Sequence, residues 1–360
     1  MPESLGVRAP GEVALFDVEL PPLQDGGVAV RTLFSGLSAG TELTYVKGTD
    51  PGFTSRRDPE LGVFVHGEPS RRYPVVAMGY MEVGEVVESR RADLLEGTLV
   101  AGAYGHRSAH VLGPDDVVVP VPDGLDPLLG IYLAQMGPIC ANGLLHAAAE
   151  LAGERVQGLG DGVRDRTVLV TGAGVVGLLS ALFAQAHGAR EVLVADPDPE
   201  RLAAARALGL EVVDERVEEP WEVCKQRWVH GPRDRGADLV LQCRGQAAVL
   251  HAALRSLRPQ GTVIDLAFYT GGAPDLRLGE EFHHNGLTVR CSQIGRVPRG
   301  LAGTWDRQRL AAETAQLLAV RGADVREHLV THVVPFAEAP ALVSALARRE
   351  VTARQVVLHP

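Results

Sequence analysis

A chain of 360 residues, 46% hydrophobic and 22% charged, has material for two packed cores rather than one. Its net charge of −10 comes from 35 basic and 45 acidic residues spread along the chain, with no basic patch, which argues against nucleic acid or an anionic membrane as partner. No apolar run approaches the roughly 18–20 residues that span a bilayer, Met1-Pro2-Glu3-Ser4-Leu5 has no basic-then-apolar pattern, and Cys140, Cys224, Cys243 and Cys291 are far apart, so a cytoplasmic chain with free thiols is expected.

Residues 1 to about 145 read as mostly β. Short alternating runs at 27–33 and 83–88 are punctuated by Gly and Pro, and 117–124 reads as a strand with a turn. The polar stretch from about Asp50 to Tyr73 reads as a long surface loop. From about 129 to 156 the pattern is helical, with Leu144, Leu145, Ala148 and Leu151 at helix spacing. After Asp165 strands and helices alternate. The strand Thr167 to Thr171 precedes a helix from Val175 to His187, and the strand Glu191 to Asp196 precedes one from Pro199 to Leu208. The strand Ala237 to Gln242, a helix through Leu254 and the strand Thr262 to Ala267 follow. Such alternation of near-continuous apolar strands with helices predicts an α/β fold with a parallel sheet covered on both faces. A helix at 307–319, a strand at 329–334, a helix at 337–347 and a strand at 355–358 close the chain. A strand near Leu287 to Ser292 would leave an open sheet edge, which predicts a homodimer through these sheets.

The most specific site is Gly172-Ala173-Gly174-Val175-Val176-Gly177, which follows an apolar strand and opens a helix. Gly172 makes the tight turn, Gly174 lets the backbone approach a pyrophosphate, and Gly177 lets helix and strand pack closely. Free N–H groups at the helix start, near Val175 and Val176, suit phosphate. The next strand ends in Asp196, where a carboxylate accepts from adenosine ribose hydroxyls. That carboxylate repels a 2′-phosphate, so the expected cofactor is NAD. Arg201, five residues on, either pairs with such a phosphate or lies over the ribose. Cys243 and Arg244 follow the fourth strand and Ala267 ends the fifth, at the carboxyl ends where ligands bind such sheets.

With this nucleotide unit placed behind a β-rich region, the chain resembles the medium-chain dehydrogenase/reductase superfamily over nearly its whole length. The residues that carry the resemblance are Gly36-Leu37-Ser38, Met78-Gly79-Tyr80, Val83-Gly84-Glu85-Val86-Val87, Val121-Pro122-Asp123-Gly124, the glycine motif, Gly245, Gly261-Thr262-Val263 and Gln355-Val356-Val357-Leu358. The resemblance implies a GroES-like β-rich domain over 1–147 and 297–360, a Rossmann domain over 148–296, and an active site in the cleft between them. Zinc enzymes of the superfamily carry Gly-Ile-Cys-Gly-Ser-Asp and Leu-Gly-His-Glu. Here the cysteine position is Ser38 or Ala39, the histidine is Tyr80, the following glutamate is Met81, and the third-ligand position, near Pro138, is apolar. Serine and tyrosine hydroxyls are poor zinc ligands at neutral pH, and the cysteine-rich lobe is absent, so no metal is expected. Ser35-Gly36-Leu37-Ser38-Ala39-Gly40-Thr41-Glu42 is similar to the zinc-free branch that includes bacteriochlorophyllide a dehydrogenase.

Without zinc, a side chain must stabilise the substrate oxygen. Tyr80 either hydrogen-bonds that oxygen or fills the metal's space. His106 either reaches the cleft as general base or lies on the surface of its turn. Thr41 or Ser38 is a candidate proton relay. Glu42 acts as a base, anchors a cation, or makes a structural salt bridge. Lys47 either takes part in the chemistry or is a solvated charge, and His283-His284 reads as packing or interface rather than metal ligands. Arg244 touches NAD or an anionic substrate, or faces solvent. The function expected is zinc-independent, NAD-dependent interconversion of a secondary alcohol and a ketone, on a small molecule such as a sugar, cyclitol or biosynthetic intermediate. The alternatives are an enoyl or quinone reductase and a non-catalytic NAD(H)-binding protein.

Overall fold

In the strand Val28–Gly36, Val28, Val30 and Thr32 alternate inward, as a half-buried strand requires, and this strand is the axis of the first sheet. The computed structural model describes residues 1–360. Across the sheet the order is Val330–Pro335, Gln355–His359, Val28–Gly36, Glu82–Ser89, Leu99–Gly102 and Val119–Pro120, with Ala109–Leu112 also pairing with Val28–Gly36. The final strand runs antiparallel to Val28–Gly36, with Val357 opposite Gly36 and Leu358 opposite Ser35. A hairpin of Glu3–Ala9 and Glu12–Asp17 is joined to this body by bridges from Ser4 to Arg107 and from Val7 to Val75. Leu5, Val46, Met78, Phe336 and Leu358 share one core there.

The second sheet has six parallel strands. Its order is Glu211–Asp214, Glu191–Asp196, Thr167–Thr171, Ala237–Gln242, Leu257–Asp265, Thr288–Cys291. The strand Thr167–Thr171 is buried at every position, which explains its apolar centre Val168-Leu169-Val170. Strand order reverses between it and Ala237–Gln242, so the switch point of this Rossmann sheet lies where both strands end.

Contacts divide the chain into two units, Met1–Gln135 with Val330–Pro360, and Met136–Leu329. Relative to the boundaries expected from sequence, the helices Met136–Ala152 and Arg307–His328 go with the parallel sheet, because each packs on the helix Val175–Ala186. Arg307–His328 runs well past the expected end at Ala319. Its buried positions Leu310, Thr314, Leu317, Gly322 and Val325 keep helical spacing, which outweighs the cost of about 1 kcal/mol for an interior glycine. The expected loop at 50–73 contains a 3-10 turn, Pro51–Phe53, and a hairpin of Ser55–Arg57 with Phe64–His66. The expected strand at 117–124 shrinks to Val119–Pro120, since Pro120 and Pro122 offer no N–H. Glu211–Asp214 and Pro220–Arg227 are further elements with little sequence signal, because an edge strand and a charged surface helix show little apolar periodicity. No helix is long and apolar enough to cross a membrane.

Candidate functional site

Three backbone bonds set the turn that carries Ser38. Gly36 N–H donates to Met81 O (2.7 Å), Leu37 N–H donates to Val356 O (2.9 Å), and the buried Gln355 side chain donates to Leu37 O (3.0 Å). Ser38 then caps the helix Ala39–Lys47. From this cap and the first helical turn, Ser38 Oγ is hydrogen-bonded to the Tyr80 hydroxyl, and Thr41 Oγ1 lies 3.5 Å from it. Three of the expected site residues therefore meet in one hydroxyl cluster. Burial and then the Glu42 charge push the Tyr80 phenol up to about 12, with the Ser38 and Thr41 hydrogen bonds pulling the other way. Lys47 sits exposed in the last turn of that helix, apart from the cluster.

Beneath the cluster lies a buried charge network. His106, Glu42 and Glu82 are each 0% exposed. Glu42 Oε1 accepts from Ser38 N–H (3.0 Å), and Glu42 Oε2 lies 2.6 Å from His106 Nε2. The other ring nitrogen, Nδ1, lies 2.6 Å from Ser35 Oγ, which donates to Glu82 Oε1 (3.1 Å), while Glu82 Oε2 accepts from Tyr104 N–H (2.9 Å). His106 is thus neither on the surface nor free to act as a base in a cleft. Its backbone bonds Leu5 N–H and Met78 O draw its turn inward, and its ring packs against Gly79 (φ +103°). A Cβ on Gly79 would come 2.8 Å from the ring. Burial alone would lower His106, but the charge and hydrogen bond of Glu42, with the charge of Glu82, outweigh it and raise the imidazole. Burial lifts Glu82 to about 7, opposed by the His106 charge. Glu42 is neither a free base nor a cation anchor; it is the buried partner of His106. Ser35 and Glu82 were not anticipated, although an acid inside Met81-Glu82-Val83 was a signal, since such a position is buried in a central strand.

In the second unit the turn after Thr171 has the shape a dinucleotide requires. Gly172 has φ +106°, and a Cβ there would meet Arg244 Cγ at 2.7 Å. A Cβ on Gly177 would lie 1.7 Å from Gly172 O, so no other residue fits. Gly174 caps the helix Val175–Ala186 with open space beside it, nothing being nearer its Cβ position than Arg201 Nη1 at 4.0 Å. Val175 and Val176 are half-buried at the helix start, and no side chain caps it. Asp196 is 2% exposed, and its two oxygens accept from Ala173 N–H and Asp198 N–H, each at 2.8 Å. Arg201 Nη1 stands 4.0 Å from it. The carboxylate is therefore built into the glycine turn itself. Arg244 neither faces solvent unpaired nor offers a free charge to an anion, because Glu215 takes its Nη1 at 2.6 and 2.8 Å. Cys243 N–H donates to Thr171 O (3.0 Å) and Ala267 N–H donates to Asp265 Oδ1 (3.0 Å), so both stand where strands end at the carboxyl edge. Gln242, hydrogen-bonded to Thr171 Oγ1 and to Tyr269 (3.1 Å), ties these ends together.

Residues 175–307 match the family model for zinc-binding dehydrogenase. The chain is 30% identical over 286 residues to L-threonine 3-dehydrogenase of Rhizobium etli, covering 74% of this chain and 76% of that protein. The chain belongs to the zinc-binding dehydrogenase family of the medium-chain superfamily. It is also 26% identical over 347 residues, 94% of each chain, to D-guloside 3-dehydrogenase of Escherichia coli. A protein of Sinorhizobium meliloti solved with NADP bound has the same fold, with a TM-score of 0.73 at 19% identity over 100% of this chain and 99% of that one. As a member of the family, the chain is an oxidoreductase of the alcohol-dehydrogenase type that uses a nicotinamide cofactor.

The family's metal is a separate question, and the donors around Tyr80 do not fit it. Zinc takes thiolate, imidazole or carboxylate ligands. Here Ser38 and Tyr80 offer only hydroxyls that are hydrogen-bonded to each other, Met81 is buried, and the nearby imidazole and carboxylates are hydrogen-bonded among themselves. The one group of His, Cys, Asp or Glu with ligand-like spacing is His251, Glu280 and Glu281, in the other unit. His283 and His284 are exposed and stand edge to face.

Proposed function

We propose that the chain is a zinc-independent, NAD-dependent dehydrogenase that interconverts a secondary alcohol and a ketone on a polyhydroxylated small molecule of the sugar or cyclitol class. The observation that carries this reading is the Ser38–Thr41–Tyr80 hydroxyl cluster, in which Ser38 and Tyr80 stand where the superfamily resemblance implies zinc ligands, backed by the buried Glu42 carboxylate. The similarity to a sugar dehydrogenase supports the substrate class, and four free cysteines support a cytoplasmic setting.

The bound cofactor supplies the hydride acceptor or donor; the chain manages the oxygen. At neutral pH Tyr80 is a phenol, because its pKa of about 12 lies far above. It therefore donates a hydrogen bond to the substrate oxygen. An alkoxide formed by reduction is a stronger base than this phenolate and takes its proton, while oxidation runs the same transfer in reverse. Ser38 and Thr41 orient the phenol and share the charge left on it. Alcohol oxidation should accordingly speed up as pH rises, because the phenol must give up a proton to become a base. Purified protein is expected to hold well under one zinc per chain, with turnover indifferent to chelators. Stoichiometric zinc with chelator-sensitive turnover overturns the reading.

Preference for NAD rests on Asp196. Its carboxylate sits on the glycine turn, and a 2′-phosphate brought there would meet negative charge. Wild type should favour NAD by at least about tenfold, since 1.4 kcal/mol is one decade. In Asp196→Ser the ratio should shift towards NADP with help from Arg201. Both affinities should fall in absolute terms, because Ala173 N–H loses its acceptor. Equal wild-type affinities, or an unchanged ratio in the variant, would count against the assignment.

A homodimer is proposed through the outer strand Thr288–Cys291, which has no partner on one side and exposes Val289 and Cys291. Sedimentation at micromolar concentration should show a dimer; a species that remains monomeric contradicts it.

A further inference from the structure

Two carboxylates and one imidazole without solvent contact are an expensive arrangement, and a chain keeps one when it is fully hydrogen-bonded. The bonds here permit a specific accounting of protons. His106 Nε2 faces the Glu42 carboxylate at 2.6 Å, so it carries a proton and donates it. Nδ1 faces Ser35 Oγ, which in turn faces Glu82 Oε1. The Ser35 hydroxyl both donates and accepts, so two arrangements satisfy every atom. In one, Nδ1–H donates to Ser35 and Ser35 donates to an ionised Glu82. In the other, a protonated Glu82 donates to Ser35 and Ser35 donates to a bare Nδ1. Moving between them shifts one proton across Ser35, with no change in net charge and no broken hydrogen bond.

We propose that Glu82 is a positioning residue of the alcohol site, sharing one proton with His106 through Ser35 so that His106 keeps its bond to Glu42 and Glu42 stays fixed against the Ser38 turn that orients Tyr80. This rests on the Tyr80 reading above. Glu82 and Ser35 do not reach the hydroxyl cluster, and they act through His106 and Glu42. Each link comes from a different element. Ser35 ends the strand Val28–Gly36, Glu82 opens Glu82–Ser89, Glu42 lies in the helix Ala39–Lys47, and His106 lies on the turn after Leu99–Gly102. The titratable groups facing this unit, besides its own Glu42, are the phenols of Tyr45, Tyr80 and Tyr104. The Glu42 charge and hydrogen bond raise His106 against its burial, and burial lifts Glu82 to about 7, so both groups favour holding a proton in this unit.

The test uses the full-length enzyme, with Glu82→Gln, Ser35→Ala and Tyr80→Phe assayed with NAD and an alcohol that the wild type oxidises. Glu82→Gln can no longer hold the proton, and Ser35→Ala can no longer pass it. Both should lower kcat by about tenfold, as expected for groups that orient a reacting side chain, with KM for NAD unchanged. In Glu82→Gln the pH profile of kcat should move to lower pH by about one unit, because a negative charge that held the proton is gone. Histidine nitrogen NMR gives a readout independent of activity, with His106 assigned by its loss in His106→Asn. Wild-type Nδ1 should show a shift between the protonated and bare values, and Glu82→Gln should make it a simple protonated nitrogen below its pKa. If Glu82→Gln does not fold, Ser35→Ala and the wild-type spectrum decide. A wild-type Nδ1 that titrates as an isolated imidazole, or variants with wild-type kcat, pH profile and nitrogen shifts, overturns the proposal. If Tyr80→Phe is inactive while the other two variants behave as wild type, this inference alone fails. If Tyr80→Phe is fully active, the site reading fails with it.

Discussion

Tyr80→Phe should lower kcat for alcohol oxidation by about 10²–10⁴-fold, the range for losing a positioned acid–base group, while leaving the affinity for NAD within about twofold. The variant keeps the ring and removes only the hydroxyl, so the packing of the ring is retained. Ser38 and Thr41 lose a shared partner, at a cost of about 1 kcal/mol, which is small beside the stability of a chain this size. What disappears is the group able to donate to the substrate oxygen and take its charge. The effect should fall on kcat and kcat/KM together, because the bond strengthens as charge develops on that oxygen. Ser38→Ala should cost less, since Thr41 remains within 3.5 Å of the phenol. Steady-state kinetics with NAD and a secondary alcohol decide it. A Tyr80→Phe enzyme within threefold of wild type would reduce Tyr80 to a space-filling ring.

The parallel sheet was legible because its strands are buried on both faces, and an unbroken run such as Thr167 to Thr171 has few other readings. The glycine turn was legible for a related reason. Gly172 and Gly177 are demanded by a positive φ and a contact that no side chain survives, so chemistry and spacing coincide. Tyr80, Ser38 and Thr41 were found together through resemblance, and the fold joins them by hydrogen bonds. The role of His106 was not legible. A histidine between Gly105 and Arg107 looks like a turn residue, and only the strand pairing that brings residues 35, 42 and 82 around it reveals a buried ring. The pairing of Arg244 with Glu215 was hidden in the same way, because residues 29 positions apart meet only through sheet order. Sequence spacing reports local geometry well, whereas networks whose members lie on four separate elements appear only once register is fixed.

Glu42→Ala should destabilise the protein by about 3–5 kcal/mol, the cost of breaking a buried ion pair and leaving its partner uncompensated, and the loss should depend on pH with a definite sign. His106 is raised in the folded state, so its contribution to stability is fully present below the unfolded histidine value near 6.5 and is lost as pH rises through its folded value. Glu82, raised from 4.5 to about 7, acts in the same direction, and it does so through the one proton it shares with His106, so the pair releases a single proton as pH rises. In wild type these two groups together make stability decline from acid towards neutral pH. Removing Glu42 takes away the main influence raising His106, and burial then prevails and pulls the imidazole below its ordinary value. Its linkage reverses, so the variant gains stability as pH rises through the unfolded histidine value. The gap between wild type and Glu42→Ala should therefore be widest near about pH 5.5 and narrower near about pH 8.5. Ser38 N–H also loses its acceptor, a part of the cost that does not titrate, so the gap should narrow without closing. Urea unfolding of both proteins at the two pH values measures it. A gap that is constant with pH would mean that His106 does not hold its proton against Glu42. A gap that widens towards alkaline pH would mean that the charge on this buried unit runs opposite to the one its hydrogen bonds require.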